Sequence, residues 1–475
     1  MRGHLISIKS MRMRYVAMDL ATSMMAFFLF NIARYYLMGI NKIIPLFLTY
    51  ITEEKMIIEQ LVIPIIMLGI YWLSGYYNRP FGKSRLLEFS QTSFSAFINT
   101  IWIYFALLIN DQLPSRYVSY ELMLFLWGSL FLITYSGRLC LTVTTLWNIK
   151  RHLWSFNTVI IGDSDKAMQT ADRLSLRQTN LGYSVIGHIP IPGEKSSKRP
   201  HKILTPQQLE TLHKNNSIDQ LIISAAENAS EKDILELLYN YFPSGIPIKI
   251  KPSALAFLTS HIRIGDIYAE PFIDLTSPSM SDSQINIKRV LDIFLSILAL
   301  LILSPIMIGI AIAVKYTSKG PVIYRQERIG YRQKPFNILK FRTMRIDAES
   351  KGPQLACEDD PRITPVGRIL RKYRLDEFPQ FWNVIKGEMS LVGPRPEREY
   401  YIRQIVKQAP YYTLVHQVKP GITSWGMVKY GYAQKVEEMV ERCNYDLIYL
   451  SNMSVAVDFK ILLHTISTVV LGKGK

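Results

Sequence analysis

Apolar residues gather in long blocks over the first third of the chain and in short ones after it. Four blocks, Tyr15–Met38, Met56–Leu73, Phe89–Ile109 and Glu121–Tyr135, approach the ~20 residues a helix needs to cross a bilayer. The loops between them differ in charge. Arg2, Lys9, Arg12 and Arg14 precede the first block, Arg79, Lys83 and Arg85 separate the second from the third, and Arg138, Lys150 and Arg151 follow the fourth. The two remaining loops are close to neutral. The positive-inside bias then predicts a four-helix transmembrane bundle over residues 1–150 with both ends cytoplasmic. No small-residue cleavage pattern follows the basic N-terminus, so an uncleaved anchor is expected. Asp19 and Arg34 fall inside the first block, where they either line a helix–helix contact or mark a site.

From about Asn157 the period changes. "NTVIIG", "YSVIGHIPI", "SIDQLIISA" and "IPIKIKP" read as strands, separated by helical stretches such as "TPQQLETLHKN" and "SEKDILELLYNYF". Strand and helix alternate, which predicts a small Rossmann-like parallel α/β domain over residues 151–262. Thr205 and Gln208 form a capping box, with Pro206 at the first helical position. The first turn, Gly162 to Asp165, lacks the glycines of a dinucleotide fingerprint, and its two acids would repel a phosphate. A structural or regulatory role is therefore expected of this domain.

Residues 263–286, rich in Pro, Ser and Asp, read as a linker. Leu291–Val314 is again long and apolar enough to span. Ser304-Pro305 interrupts its middle, where proline removes a hydrogen bond. Both flanks are basic: Lys288 and Arg289 before it, Lys315 and Lys319 after it. A re-entrant helix over about residues 288–315, broken at Ser304 and Pro305 and leaving on the side it entered, satisfies both features. A kinked full span would put everything after it outside the cell. The closing segment, "MSVAVDFKILLHTISTVVL", carries Asp458, Lys460 and His464 and reads as an amphipathic helix on the membrane or the core. His416 and His464 read as packed or hydrogen-bonded residues.

Composition narrows the partners. The 475 residues carry a formal charge of +17, and 49% are hydrophobic. Such an excess suits something bearing phosphate. Cys140, Cys357 and Cys443 lie far apart, which excludes a disulfide framework and offers no zinc pattern. Between Lys315 and Arg345 nine Lys or Arg face a single acid, Glu327. Beside a membrane helix this reads as a surface for lipid phosphates, with no nucleic-acid partner expected.

Against that background Asp376 and Glu377 stand side by side in "YRLDEFPQFWNVIKGEM", where "FPQFWNVIK" reads as a short helix ending at Gly387. The acids sit at or just before a helix N-terminus, which favours carboxylates and also attracts phosphate. Adjacent helical residues diverge by about 100°, so one acid attacks while the other holds a metal or water. Arg371, Lys372 and Arg374 precede the pair, and Arg395 follows between two prolines. A carboxylate among phosphate-binding cations supports in-line attack on phosphorus, with Mg²⁺ bridging the acids and a diphosphate. The plainer alternative is a capping Asp beside a salt-bridged Glu.

Lys288-Arg289, Ser304-Pro305, "KFRTM" at Lys340–Met344, "DPRITPVGRILRKYRLDEFPQ", "NVIKGEMSLVGPRPE" and "KPGIT" at Lys419–Thr423 together resemble the bacterial sugar transferases, the polyprenyl-phosphate hexose-1-phosphate transferases. The likeness covers about residues 284–475 and implies a C-terminal α+β catalytic domain over 287–475. The preceding bundle and α/β domain resemble the large members that initiate exopolysaccharide, capsule or O-antigen lipopolysaccharide synthesis. The resemblance implies transfer of a hexose 1-phosphate from a UDP-sugar, with glucose or galactose expected, to undecaprenyl phosphate, releasing UMP. Asp376 would be the nucleophile, Glu377 its assistant and, with Asp376, a holder of Mg²⁺. Arg395 would bind phosphate, and Lys340, Arg342 and Arg371 would contact the diphosphate or the lipid phosphate. It also implies a multi-pass protein of the bacterial inner membrane with its catalytic domain on the cytoplasmic face, and a homodimer is among the expected assemblies. Ser424-Trp425-Gly426-Met427 departs from the family's Gly and Trp-Gln after "KPGIT" and leaves the sugar or nucleotide contacts there open. Two other functions were weighed. A membrane-anchored nucleotide-sugar dehydratase or epimerase needs the glycine fingerprint that the Gly162 turn lacks, and a non-catalytic assembly scaffold would use the acid pair only as a cap.

Overall fold

The computed structural model describes residues 8–81, 83–107, 115–151, 153–175, 182–199, 201–215, 217–226, 229–251, 272–349, 352, 354–355, 360–431 and 433–470. The chain divides into two compact units, one built on the residues up to Phe156 and one on most of the chain from Asn157 onward.

Five helices make the first unit: α1 (Ile8–Leu37), the short α2 (Phe47–Ile51), α3 (Glu54–Leu73), α4 (Arg85–Ala106) and α5 (Arg116–Lys150). Met11, Tyr15, Phe27 and Phe30 of α1 pack with Met67 and Tyr71 of α3 and with Leu122, Leu126 and Leu130 of α5. The first and fourth apolar blocks prove to be parts of longer helices. Helix α5 begins where Ser115 caps it by accepting from Val118 N, and it runs well beyond Tyr135 because Arg138, Thr142 and Thr145 turn their polar groups inward.

By length and hydropathy, α1, α3 and α5 can each cross a membrane, together with one helix of the second unit. Helix α4, over the third expected span, is as long but falls below that hydropathy because polar residues are mixed into it. Its polarity is turned inside: Glu88, Thr92, Ser95 and Asn99 are buried, while Phe89, Phe94, Phe97 and Phe105 point outward. The buried stripe meets a charge cluster. Arg138, with no exposed surface, donates from Nε and Nη2 to Asp19 at 2.8 and 2.6 Å and from Nη1 to Thr92 at 2.8 Å. Its guanidinium stacks 3.7 Å from the Tyr76 ring, and Tyr77 donates to Asp19. Arg34 pairs with Glu59 at 3.2 Å. Asp19 and Arg34 thus join helices to one another.

The second unit begins with an α/β module: β1 (Phe156–Ile161), α6 (Asp165–Ser175), β2 (Tyr183–Ile189), α7 (Pro206–Lys214), β3 (Gln220–Ile223), α8 (Glu231–Tyr241), β4 (Ile248–Ile250) and β5 (Ile273–Asp274). The sheet order is β2-β1-β3-β4-β5. The β1–β3 and β3–β4 pairs are parallel, and β5 adds an antiparallel edge absent from the sequence-based expectation. The capping box of α7 forms as expected at Thr205 and Gln208. Gly162 sits at φ +129°, and a Cβ there would lie 2.4 Å from the Ser224 carbonyl oxygen. That glycine serves strand packing. Of the expected linker, residues 263–271 lie outside the described residues; the rest contains β5 and the start of the next helix.

That helix, α9 (Asp282–Thr317), starts earlier than expected because Ser281 caps it, accepting from Gln284 N. It continues unbroken through Ser304 and Pro305, with Ser304 Oγ turned back onto the Leu301 carbonyl. The hairpin of β6 (Ile323–Ile329) and β7 (Pro335–Phe341) follows. Then come α10 (Pro365–Lys372), α11 (Gln380–Lys386), β8 (Ser390–Val392), α12 (Glu399–Gln408), β9 (Gly421–Thr423), α13 (Trp425–Lys429), α14 (Val436–Ser451) and α15 (Val455–Val470). Strand β8 pairs in parallel with β9. Val384, Met389, Leu391, Ile405, Tyr412, Met439, Tyr449 and Ile461 form the core. Helix α15 is amphipathic as expected: Asp458 and Ile461 face the core, while Phe459, Leu463 and Ile466 are exposed.

The Arg138–Asp19 pair generates a stability prediction. Replacing Arg138 by Ala leaves Asp19 buried without its cation and should cost about 3–5 kcal/mol. Thermal unfolding in detergent should show the loss, and the double variant Arg138→Ala/Asp19→Ala should recover part of it.

Candidate active site

The acid pair is positioned from both sides. Upstream, Thr364 caps α10 by accepting from Gly367 N at 3.0 Å, and Pro365 opens the helix. A Cβ on Gly367 would lie 2.1 Å from the Thr343 carbonyl oxygen, so only glycine lets α10 lie against the chain leaving β7. Arg374 then takes a left-handed conformation, φ +56°, which turns the chain into the 3₁₀ turn Leu375–Glu377. Downstream, α11 ends at Gly387, φ +90°. Arg289 of α9 donates to the last carbonyls of α11, Val384 at 2.7 Å and Ile385 at 3.0 Å. Asn383, fully buried, accepts from Leu339 N and donates to Asn337 O, tying α11 to β7. The pair therefore sits on a 3₁₀ turn two residues short of a helix with fixed ends.

Asp376 and Glu377 are 7% and 5% exposed, and their surroundings separate them. Lys340, on β7, reaches Glu377 Oε1 at 2.8 Å, and Arg395 Nη1 lies 3.7 Å from the same oxygen. Burial raises the Glu377 pKa, but Lys340, Arg374 and Arg395 outweigh it and hold this carboxyl well below the usual range. Asp376 has no hydrogen bond or ion pair among the described residues. Burial, helped by the Glu377 charge, raises its pKa against the pull of Lys340, Arg371 and Arg374, and the balance stands at about 6. Neighbouring acids of similar intrinsic strength thus become a permanent anion and a group that titrates near neutrality, the pattern expected of a carboxylate placed for chemistry.

The pair lies in a cavity of about 490 Å³, also lined by Tyr324, Arg328, Lys340, Arg371, Arg395 and Arg442. Arg371 is aimed by Thr343, to which its Nε donates at 3.0 Å. Beneath the Gly393–Pro396 turn, Glu397 pairs with Arg328 and Arg442 and is held below its usual pKa; burial opposes this, and Arg442 and Arg328 outweigh it. Arg395 also lies 3.3 Å from the Met427 sulfur, so the departure after "KPGIT" falls on a residue touching the expected phosphate ligand.

The structure brings Asp376, Glu377, Lys340, Arg371, Arg395 and Arg342 to one cavity and gives Arg342 a further contact outside it. Its Nη2 donates to the Ser318 and Val314 carbonyls and to Ser318 Oγ, closing the C-terminal end of α9. Ser304 and Pro305 lie within α9 and are not part of the cavity lining. His416 is buried with Nδ1 3.1 Å from Gly330 O, and burial drives it down to about 4; His464 sits on the exposed face of α15. Among the described residues no three acidic, His or Cys side chains group as a metal site. Two carboxylates are enough for a Mg²⁺ that takes its other ligands from substrate phosphates and water, and such a cation would compete with Lys340 for Glu377. Asn383 and Glu397 were missed from sequence. A buried amide inside "FWNVIK" and an acid directly after Gly-Pro-Arg-Pro were the available signals.

Comparisons with known proteins converge on this region. Residues 283–472 match the family model described as bacterial sugar transferase. The chain is 33% identical over 379 residues to the UDP-glucose:undecaprenyl-phosphate glucose-1-phosphate transferase of Escherichia coli (strain K12), covering 76% of this chain and 81% of that one. It is 41% identical over 217 residues to the UDP-N-acetylgalactosamine-undecaprenyl-phosphate N-acetylgalactosaminephosphotransferase of Aeromonas hydrophila, covering 46% of this chain and 51% of that one. Against the exopolysaccharide production protein PSS of Rhizobium leguminosarum bv. phaseoli it is 36% identical over 198 residues, which cover 40% of this chain and 98% of that one.

The split between the acids is directly measurable. The Asp376 carboxyl should titrate with a midpoint near pH 6, and Lys340→Met, by removing the cation that most favours its ionised form, should move that midpoint upward. Carboxyl ¹³C NMR of labelled aspartate would show it; a midpoint in the ordinary carboxylate range would contradict the assignment.

Proposed function

We propose a reaction for this chain, which belongs to the bacterial sugar transferase family: it moves a hexose 1-phosphate from a UDP-sugar to undecaprenyl phosphate through a covalent intermediate on Asp376. The Asp376 carboxylate attacks the sugar-bearing phosphorus in line. The bond from that phosphorus to the bridging oxygen breaks, and UMP leaves with the bridging oxygen. A phosphate oxygen of the lipid then attacks the same phosphorus, releases the carboxylate and completes a lipid diphosphate sugar. The observation carrying this reading is the asymmetry of the pair: Glu377 is engaged by Lys340, while Asp376 is buried, unpaired among the described residues and surrounded by cations that a diphosphate would meet. Lys340, Arg371 and Arg395 bind and orient the diphosphate. Mg²⁺, held by Asp376 and Glu377 with the substrate phosphates, would lower the repulsion between two anions. Glucose or galactose remains the expected sugar, and exopolysaccharide, capsule or O-antigen assembly the expected setting.

The topology that goes with this chemistry places the catalytic part at the cytoplasmic face of the bacterial inner membrane, with α9 re-entrant. A straight 36-residue helix would be about 54 Å long. Yet both ends of α9 pack on one catalytic body. Near its start, Lys288 pairs with Asp458 of α15 at 2.6 Å, and Asp292 accepts from Ser390 and Leu391 N of β8. Near its end, Ile310 and Val314 pack on Phe341 and Leu370. Those contacts support a helix that returns to the side it left, and Pro305, which has no N–H to donate, is where such a helix would yield most easily.

Two outcomes follow. Asp376→Asn should lower UMP release from a UDP-sugar by at least about 10³-fold and abolish the labelled covalent adduct; full turnover by that variant would refute the mechanism. Single cysteines placed after residue 320 should react only with reagents reaching the cytoplasmic side, and labelling from outside would refute the re-entrant helix.

A further inference from the structure

The rim of the cavity is not uniform. Most of the cations lining it are already engaged: Lys340 by Glu377, Arg328 and Arg442 by Glu397, Arg398 by Glu349, Arg371 by Thr343 and Arg342 by Ser318. Arg345 and Arg368 differ. Both line the cavity, both are exposed, and neither side chain has a hydrogen bond or ion pair among the described residues. They lie on neighbouring segments, since Arg345 N donates to Arg362 O, Met344 bridges Ile363, and Thr364 N donates to Thr343 O. Each is followed by an isoleucine left open to solvent, Ile346 at 68% and Ile369 at 59%.

This edge also adjoins the end of the membrane helix. Ile346 lies against Gly320, two residues beyond the Ser318 cap of α9. The opposite face of α10, Val366 and Leu370, packs on Ile310 and Val314 of α9. The rim therefore combines two cations without side-chain partners among the described residues, two exposed aliphatic side chains, an opening to Asp376 and a position beside the end of a helix long and apolar enough to enter a membrane. A water-soluble nucleotide sugar has no use for the isoleucines. An alkyl phosphate uses all four side chains: its phosphate between the arginines, its first isoprene units along the isoleucines.

We propose that Arg345, Ile346, Arg368 and Ile369 form the port through which the polyprenyl phosphate acceptor enters, separate from the Lys340–Arg371–Arg395 end that holds the diphosphate donor. The port rests on the reaction proposed above for its place in catalysis, but its binding can be read without that reaction. Because both displacements are in line, the lipid phosphate attacks from the apex opposite Asp376 that UMP has left, and the port gives it a route to that place once the nucleotide has gone.

The test uses the full chain in nanodiscs and separates binding from chemistry. Binding of a fluorescent polyprenyl phosphate, with no nucleotide sugar present, should weaken roughly tenfold or more in Arg345→Ala/Arg368→Ala. The same variant should raise the KM for undecaprenyl phosphate by a similar factor, while the UMP burst in the absence of lipid and the KM for the UDP-sugar stay at wild-type values. Ile346→Ser/Ile369→Ser should weaken undecaprenyl phosphate more than a short-chain prenyl phosphate. Unchanged lipid binding in the arginine variant overturns the port, as does a raised KM for the UDP-sugar with a smaller burst. Displacement of the probe by an equal amount of phosphatidylglycerol would reduce the site to a general contact for anionic lipid, and overturns it too. Loss of lipid binding in the arginine variant, with wild-type enzyme that releases UMP from no UDP-sugar, would keep the port and discard the reaction.

Discussion

Burying two adjacent carboxylates is the constraint around which the catalytic part is arranged. Taking a charge out of water is costly unless an opposite charge accompanies it. One matched cation at 2.8 Å satisfies Glu377, and the surrounding arginines neutralise the rest of the pocket without touching Asp376. Much of the local architecture can be read as the means of keeping that imbalance. The β7 strand delivers Lys340 to one acid, the glycine contact at Gly367 brings α10 in close enough to aim Arg371, and Arg374 accepts a backbone conformation that most residues avoid. A pair of equal, exposed acids would make a capped helix and nothing else.

The membrane helix enters the same arrangement through its ends. Arg289 holds the carbonyls that close α11, and Arg342 holds those that close α9. Guanidinium groups suit this work, because they stay charged and offer several fixed donors to carbonyl oxygens that a helix end leaves open. Lys288, Asp458 and Tyr449 add a second fastening between α9 and α15. The longest apolar helix of the chain and the acid pair thus belong to one hydrogen-bonded neighbourhood, an arrangement that would suit the proposed reaction with a substrate held in the bilayer.

How much of this was legible in the residues depended on range. Local signals read true: the capping box at Thr205, the glycine stop at Gly387 and the amphipathic last helix all appear where short-range patterns put them. The acid pair and its cationic setting were also visible, because they are close in sequence or fall in dense motifs. What sequence could not show was which cation meets which group. Lys288 and Arg289 read as topogenic charges, yet both are engaged in the fold, one by a carboxylate and one by helix-end carbonyls. Arg342 read as a phosphate ligand; it lines the cavity and also, through Nη2, closes a helix, a second engagement that its motif did not show. Pairings across 24 to 170 residues are set by packing, and no window of sequence contains them.

The inward-turned polarity of α4 has a bookkeeping effect of its own. Average hydropathy counts three crossings before Lys150, whereas a helix of the same length that hides Thr92, Ser95, Asn99 and Thr100 and exposes its phenylalanines could serve as a fourth. Three and four differ in parity, and parity decides on which side of the bilayer every later residue emerges. One polar stripe, invisible to an average because it is hidden rather than absent, is therefore enough to reverse the side of the bilayer that a count of apolar helices assigns to everything after it.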